Sequence, residues 1–188
     1  YLIMAENANL PIGIVINKIE LSKNESQLND DFEHYRNIGY DVHTISVKSD
    51  LNVTSFKEKL VNKSHIFLGQ SGVGKSSLIN ALIPDLELRV NEISIKSKLG
   101  KHTTTNTTIY HIPSGGDLID SPGVREFQLD NLSEEQIVRG FREFKALSDQ
   151  CRFRNCKHIN EPDCAIKMAL ENGEINSNRY ESYLNILA

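Results

Sequence analysis

No run of about 18 consecutive apolar residues occurs in this sequence, so no segment reads as a membrane-spanning helix and no membrane partner is expected. No positively charged stretch leads into an apolar one near the start, so nothing reads as a secretory leader. An excess of positive charge is also missing: 21 Lys and Arg stand against 25 Asp and Glu, a net charge of −4. That balance argues against non-specific DNA binding, while leaving room for a local basic face. Cysteine is scarce, with three residues, all between 151 and 164. An odd count beside a histidine fits a metal site in a reducing cytosol better than a disulfide framework, and the chain is read as cytoplasmic. Internal repeats and low-complexity tracts are absent. What remains is a chain of 188 residues, 39% hydrophobic, enough for one compact domain and a small appendage. It opens on Tyr1-Leu2-Ile3-Met4-Ala5, which looks like the inside of a helix, so a fragment or a missing N-terminal domain is expected.

Short apolar runs alternate with amphipathic stretches over the first two-thirds. Residues 12–16, 42–46 and 65–68 read as buried strands, and residues 25–38 and 53–61 as helices, with Phe32, Tyr35 and Ile38 on a core face. Strands alternating with helices imply a parallel sheet covered on both faces. A helix over 75–82, an irregular polar stretch over 91–106, and strands at 107–112 and 117–120 come next. Gly115-Gly116 between the last two is a hairpin signal. From Leu132 the pattern changes. Ser133 starts a helix carrying Ile137, Phe141 and Phe144 on one face, and helical segments over 165–170 and 178–187 are punctuated by Gly173.

The run Gly69-Gln70-Ser71-Gly72-Val73-Gly74-Lys75-Ser76-Ser77 matches the Walker A pattern, after an apolar strand and before an amphipathic helix. Glycines let the backbone curl so that successive N–H groups face phosphate oxygens, and the helix N-terminus adds partial positive charge. Lys75 can reach the β- and γ-phosphates, and the Ser76 hydroxyl is placed to ligate Mg²⁺. Asp120-Ser121-Pro122-Gly123 closes a later strand in the D-x-x-G form. Its aspartate would hold Mg²⁺ through water, and the Gly123 N–H would sense the γ-phosphate. The same tetrapeptide is also ordinary turn chemistry.

Asn17-Lys18-Ile19-Glu20 comes directly after a strand and resembles the N-K-x-D base-recognition motif, whose carboxylate accepts from guanine N1 and N2. Ser46-Val47-Lys48, after the next strand, looks like the S-A-K segment that covers the other side of the base. Alone, either would be a surface loop; together they favour guanine. Glu20 stands where the motif has aspartate. Its extra methylene predicts GTP preference with reduced affinity or discrimination.

Here base recognition precedes the P-loop, which precedes a threonine-rich switch and D-x-x-G. That order reads as a circular permutation of a Ras-like GTPase domain, tolerable because the site forms where strand ends meet in space. D-x-x-G then leads straight into the C-terminal segment, so a nucleotide-driven shift can pass directly to the tail. With this order, GQSGVGKSSLIN (69–80), GKHTTTNTTIYHIPSGGDLIDSPGVREF (100–127), CRFRNCKHINEPDCAI (151–166) and RYESYLNIL (179–187) resemble the ribosome small subunit-dependent GTPase A (RsgA, YjeQ or EngC) family. The resemblance covers nearly the whole chain, without the family's N-terminal OB-fold. It implies a cytoplasmic, monomeric GTPase that binds GTP and GDP. It also implies action late in maturation of the 30S subunit beside 16S rRNA, with slow GTP hydrolysis until the subunit stimulates it.

Ras-like enzymes orient the attacking water with a glutamine just after D-x-x-G; here the residue is Val124, which cannot. Slow intrinsic hydrolysis is therefore expected, with water positioned by another group. His102 in Gly100-Lys101-His102-Thr103-Thr104-Thr105 is the nearest candidate, an exposed loop residue being the other reading. Thr103 or Thr104 is expected to close on Mg²⁺ and the γ-phosphate.

Cys151-x4-Cys156-x-His158-x5-Cys164 supplies three thiolates and one imidazole, a set for a single tetrahedral structural Zn²⁺ ion with no place for a catalytic water. The metal would staple a tail with too few apolar residues to hold its own shape. Arg152, Arg154 and Lys157 on the same loop read equally as a solvated face or as contacts to rRNA phosphates. The expectation is an α/β P-loop NTPase fold. Residues 1–130 form a circularly permuted GTPase domain, and residues 131–188 a small helical zinc-binding domain. The rival reading is a ribosome- and rRNA-binding module in which Glu20 and Val124 mark weakened or lost hydrolysis.

Overall fold

The computed structural model describes residues 1–22, 32–83, 108–120 and 132–187, with Asp120 described by its backbone alone. The first part of the helix expected over 25–38, the polar stretch with His102, Thr103 and Thr104, and Gly123 with Val124 lie outside the described residues. In chain order the elements are α1 (Leu2–Asn7), β1 (Gly13–Ile16), a 3-10 turn (Ile19–Leu21), α2 (32–37), β2 (Asp41–Thr44), α3 (Val53–Lys59), β3 (Ser64–Ile66) and α4 (Lys75–Leu82). Then come β4 (Thr108–His111), β5 (Asp117–Asp120), α5 (Glu134–Arg139), α6 (Arg142–Lys145), a 3-10 turn (Ser148–Gln150), α7 (Ala165–Glu171) and α8 (Ser177–Leu187). Packing divides the chain into two compact units that interleave along the sequence. One is Tyr1–Gly13, Asp30–Asp41 and Phe127–Ala188; the other is Ile14–Asn29 and Val42–Glu126.

In the second, α/β unit, β3, β5 and β4 form a sheet in that order, β3 parallel to β5 and β4 antiparallel to it. The expected hairpin between β4 and β5 is present. Gly115 and Gly116 have φ of +99° and +97°, and a Cβ on Gly116 would lie 2.5 Å from the Leu60 carbonyl oxygen and 2.8 Å from that of Lys63. Only glycine fits there, because the turn needs a left-handed backbone pressed against another backbone. β1 and β2 pair separately, and the pairing runs on as Ile45 N–H donates to Ile16 O (2.8 Å) and Ile19 N–H to Ile45 O (3.3 Å). Ile45, Phe56, Leu60, Leu78, Ile79, Leu82, Ile112 and Leu118 close a buried core. From α4 it takes Leu78, Ile79 and Leu82, so burial of that apolar stripe fixes the start of the helix at the end of the P-loop.

The first unit is helical. Ser133 caps α5 with a reciprocal box: its Oγ accepts from Gln136 N–H at 3.2 Å, and its own N–H donates to Gln136 Oε1 at 2.8 Å. The helix does not run on through Phe144; it stops at Gly140 and restarts as α6 after Phe141, which is extended. The physical reason is close approach. A Cβ on Gly140 would sit 2.9 Å from Ile3 Cα, so α1 packs directly on the backbone there. Phe141 and Phe144 stack at 4.9 Å, and the Tyr183 ring meets both edge-on at 5.5 and 5.0 Å. Beside them Arg179 makes a bidentate pair with Glu143 (2.6 and 3.1 Å), with its guanidinium 4.6 Å from the Phe141 ring and 5.4 Å from Tyr35. Arg142 pairs with Glu6, donates to Gly39 O at 2.6 Å and covers the Tyr40 ring at 3.9 Å. These two arginines tie α1 and residues 35–40 to helices more than a hundred positions later.

Candidate functional site

Within the α/β unit the P-loop and the two segments expected to recognise the base come together. The loop runs from the end of β3 to α4, with Gly72 and Gly74 in the left-handed region at φ +83° and +98°. α4 follows Gly74 with no side-chain cap, so its first backbone N–H groups lack an intrahelical or capping partner. Lys75 Nζ donates to the Gly69 and Gln70 carbonyls, 2.6 Å each, which folds the ammonium over the loop, while Ser76 and Ser77 are exposed.

Asn17 is the hub. Its Nδ2 donates to Val73 O at 3.1 Å, and its Oδ1 accepts from the N–H groups of Lys18 (2.8 Å) and Val47 (3.3 Å). One side chain therefore joins the N-K-x-E segment, the S-V-K segment and the P-loop. Lys18, at φ +65°, turns its Nζ onto Gly72 O at 2.6 Å. Ser46 is fully buried and its loop closes on itself, with Ser46 and Leu51 exchanging backbone bonds of 3.0 Å and Ser49 N–H donating to Ser46 Oγ at 3.1 Å. The Ser46 side chain is the main influence on the Glu20 carboxylate. With Lys48 and Lys18 nearby, it holds that exposed group below the usual carboxylate range. Ile19 is anchored in the interior, which leaves Glu20 facing outward from a fixed turn. Asp120 lies at the end of β5, in register with Thr108.

Within the helical unit the ligand atoms of Cys151, Cys156, His158 and Cys164 all lie within 4.8 Å of one another. His158 Nδ1 is 3.4 Å from Cys164 Sγ and 3.6 Å from Cys151 Sγ, and the two sulfurs are 3.9 Å apart. Zinc–sulfur bonds of about 2.3 Å at tetrahedral angles place ligands roughly 3.8 Å apart, so Cys151, His158 and Cys164 already stand near the spacing of metal ligands. Burial pushes the Cys156 thiol up to about 12, the neighbouring Cys164 and Cys151 adding to the shift, and burial lowers the His158 imidazole. His158 and Cys164 are buried, and the His158 ring packs against Phe144 and Tyr183.

The basic residues of this loop are partly engaged. Arg152 pairs with Asp163 at 2.9 Å and Lys157 with Glu134 at 2.8 Å, whereas Arg154 is exposed and holds no ion pair among the described residues. A groove of about 1080 Å³ opens beside the cluster, with Lys145, Phe153, Arg154 and Tyr183 in its wall. Sequence reasoning missed Glu161, whose carboxylate ties the loop together. Its only signal was an acidic residue inside the ligand spacing. His111 is exposed and meets Asp117 at 2.6 Å across the hairpin.

Comparison with known proteins agrees with this geometry. The crystal structure of YjeQ from Thermotoga maritima superposes with a TM-score of 0.81 at 33% identity, over 98% of this chain and 62% of that one. YloQ, described as a circularly permuted GTPase, gives 0.77 at 33% identity, over 98% and 58%. The fold is therefore that of a circularly permuted P-loop GTPase. Residues 1–130 match the model of the RsgA GTPase family. The small ribosomal subunit biogenesis GTPases RsgA of Mannheimia succiniciproducens and Haemophilus influenzae are each 45% identical over all of this chain, and over 54% and 55% of their own lengths. The chain belongs to the RsgA GTPase family, and it spans about half the length of the curated relatives it matches. No helix among the described residues is long and apolar enough to cross a membrane.

Proposed function

We propose that this protein binds GTP, hydrolyses it to GDP and phosphate, and acts in maturation of the small ribosomal subunit, with the subunit stimulating hydrolysis. The observation that carries the reading is Asn17, whose side chain bonds the P-loop and the S-V-K loop at once. Phosphate and base would then be gripped by one connected frame. In this reading Gly69–Ser77 wrap the phosphates, Lys75 turns from the loop carbonyls to the β- and γ-phosphates, and Ser76 and Asp120 hold Mg²⁺. Asn17, Lys18, Ile19, Glu20, Ser46, Val47 and Lys48 hold guanine. His102 positions water in place of the glutamine that Val124 replaces, Thr103 or Thr104 closes over the γ-phosphate, and Gly123 senses it.

Zinc is the metal proposed for Cys151, Cys156, His158 and Cys164, because three sulfurs and one imidazole nitrogen near tetrahedral spacing suit it and leave no open coordination position. Its role would be to fix the tail. Arg154 and Lys145, unlike Arg152 and Lys157, remain available to 16S rRNA phosphates. We place the working domains at 1–130 and 131–188, in a cytoplasmic monomer.

Phosphate release from GTP, measured with and without purified 30S subunits, tests the proposal. Slow turnover alone, accelerated at least about tenfold by subunits, is expected, since such stimulation works by completing an incomplete water-positioning and charge-stabilising set. GTP binding with no turnover under either condition would instead make the protein a nucleotide-gated ribosome-binding module.

A further inference from the structure

The loop between the second and third cysteines is organised around one carboxylate that is not among the candidate metal ligands. Glu161 Oε1 accepts from Lys157 N–H at 2.9 Å, and Oε2 accepts from Ile159 N–H at 3.0 Å and Asn160 N–H at 3.1 Å. These donors bracket His158, which sits at φ +59°, a left-handed conformation that a residue with a Cβ keeps only when its surroundings hold it. The carbonyls are held from the opposite side: the Tyr183 hydroxyl donates to Lys157 O at 2.7 Å and the Tyr180 hydroxyl to His158 O at 2.6 Å. Both peptide groups flanking His158 are thereby held, and its imidazole presents Nδ1 to Cys164 Sγ at 3.4 Å and to Cys151 Sγ at 3.6 Å. Asp163 makes a useful contrast. It also lies in the loop and is also paired, but its partner is the exposed Arg152 side chain and it touches none of these backbone groups.

We infer that Glu161 is a positioning residue for the metal: its carboxylate sets the turn that aims His158 Nδ1 at the three thiols, and so governs how tightly the ion is held. The inference rests on the metal reading above. Both carboxylate oxygens of Glu161 are engaged by backbone N–H groups, and Glu161 is not one of the four clustered Cys and His residues. It acts on the ligand, as outer partners of metal-bound histidines do.

Transfer of zinc from the purified full chain to an excess of chromophoric chelator measures the effect. Glu161→Gln keeps the shape but offers one acceptor oxygen to three donors, and it is expected to release zinc about 10- to 100-fold faster than wild type, with Glu161→Ala at least as fast. Asp163→Asn is expected to match wild type. Cobalt(II) loaded in place of zinc gives a readout that mere loosening of the fold would not move. Its ligand-field bands should shift in Glu161→Gln as the imidazole leaves the ion, while the thiolate-to-cobalt bands persist. If Glu161→Ala fails to fold, Glu161→Gln and Glu161→Asp decide the matter. Wild-type release rate and wild-type cobalt spectrum in Glu161→Gln would overturn the positioning role with the metal site intact. A wild-type chain that takes up neither zinc nor cobalt would overturn the metal reading itself.

Discussion

Replacing Arg179 with methionine strands a carboxylate inside the helical unit, and the cost can be worked out from its surroundings. The Arg179 and Glu143 side chains are 7% and 6% exposed, and their bidentate contact is the only ion pair of Glu143 among the described residues. Breaking a buried pair from one side costs about 3–5 kcal/mol, because the remaining charge stays desolvated. Loss of the guanidinium from the faces of Phe141 and Tyr35 adds roughly 0.5–1 kcal/mol each, partly offset by the apolar thioether that replaces it. A net loss of about 4 kcal/mol lowers the melting temperature of a chain this size by roughly 10 °C. The double variant Arg179→Met with Glu143→Leu removes the stranded charge and should return to within about 1 kcal/mol of wild type. Tyrosine circular dichroism during thermal and urea unfolding is the assay. The chain has no tryptophan, and of its six tyrosines Tyr1, Tyr35, Tyr40, Tyr180 and Tyr183 lie in this unit, leaving only Tyr110 in the other. A loss below about 1 kcal/mol in the single variant, or a double variant no more stable than the single, would refute the reasoning.

Other perturbations separate the remaining parts of the account. Gly116→Ala should cost about 2–3 kcal/mol from left-handed strain and collision with the Leu60 and Lys63 carbonyls, whereas Gly173→Ala, at φ +77° with open space around it, should cost about 1 kcal/mol; equal melting temperatures for the two variants would contradict this. Backbone N–H groups hold the Glu161 carboxyl down to about 2, so its contribution to stability is fully present above its ordinary value of 4.5 and drains away as pH falls from there towards 2. Urea midpoints across that range should fall more steeply for wild type than for Glu161→Gln, and parallel curves would argue against it. Glu20→Asp shortens the arm that reaches from the fixed Ile19 turn, and it should tighten GTP binding in a fluorescence titration; weaker binding would mean that the Ser46 loop is matched to glutamate.

Legibility in the sequence tracked the range of the interactions involved. The P-loop helix over 75–82 and the strand over 117–120 were readable to the residue, because apolar periodicity and glycine placement are local signals. So were the Ser133 cap and the Gly115-Gly116 hairpin. The break at Gly140 was not, since it is imposed by Ile3 from the far end of the chain, where no window around Gly140 contains its cause. For the same reason nothing local linked Glu6 to Arg142 or Gly39 to α6. That Cys151, Cys156, His158 and Cys164 would gather was legible from their type and spacing, whereas Glu161 acts through backbone N–H groups, which carry no residue-specific signal. The basic loop residues divide by their folded neighbours, with Arg152 and Lys157 paired to acidic side chains and Arg154 left exposed.

In the proposed function, the segments joined by Asn17 select guanine and the P-loop beside them takes the phosphates. Equilibrium titration of the protein with fluorescent GTP and fluorescent ATP tests it most directly. Measurable GTP binding that exceeds ATP binding is expected, with unlabelled GTP displacing the probe and ATP failing to do so at equal concentration. ATP binding as tight as or tighter than GTP binding would contradict it.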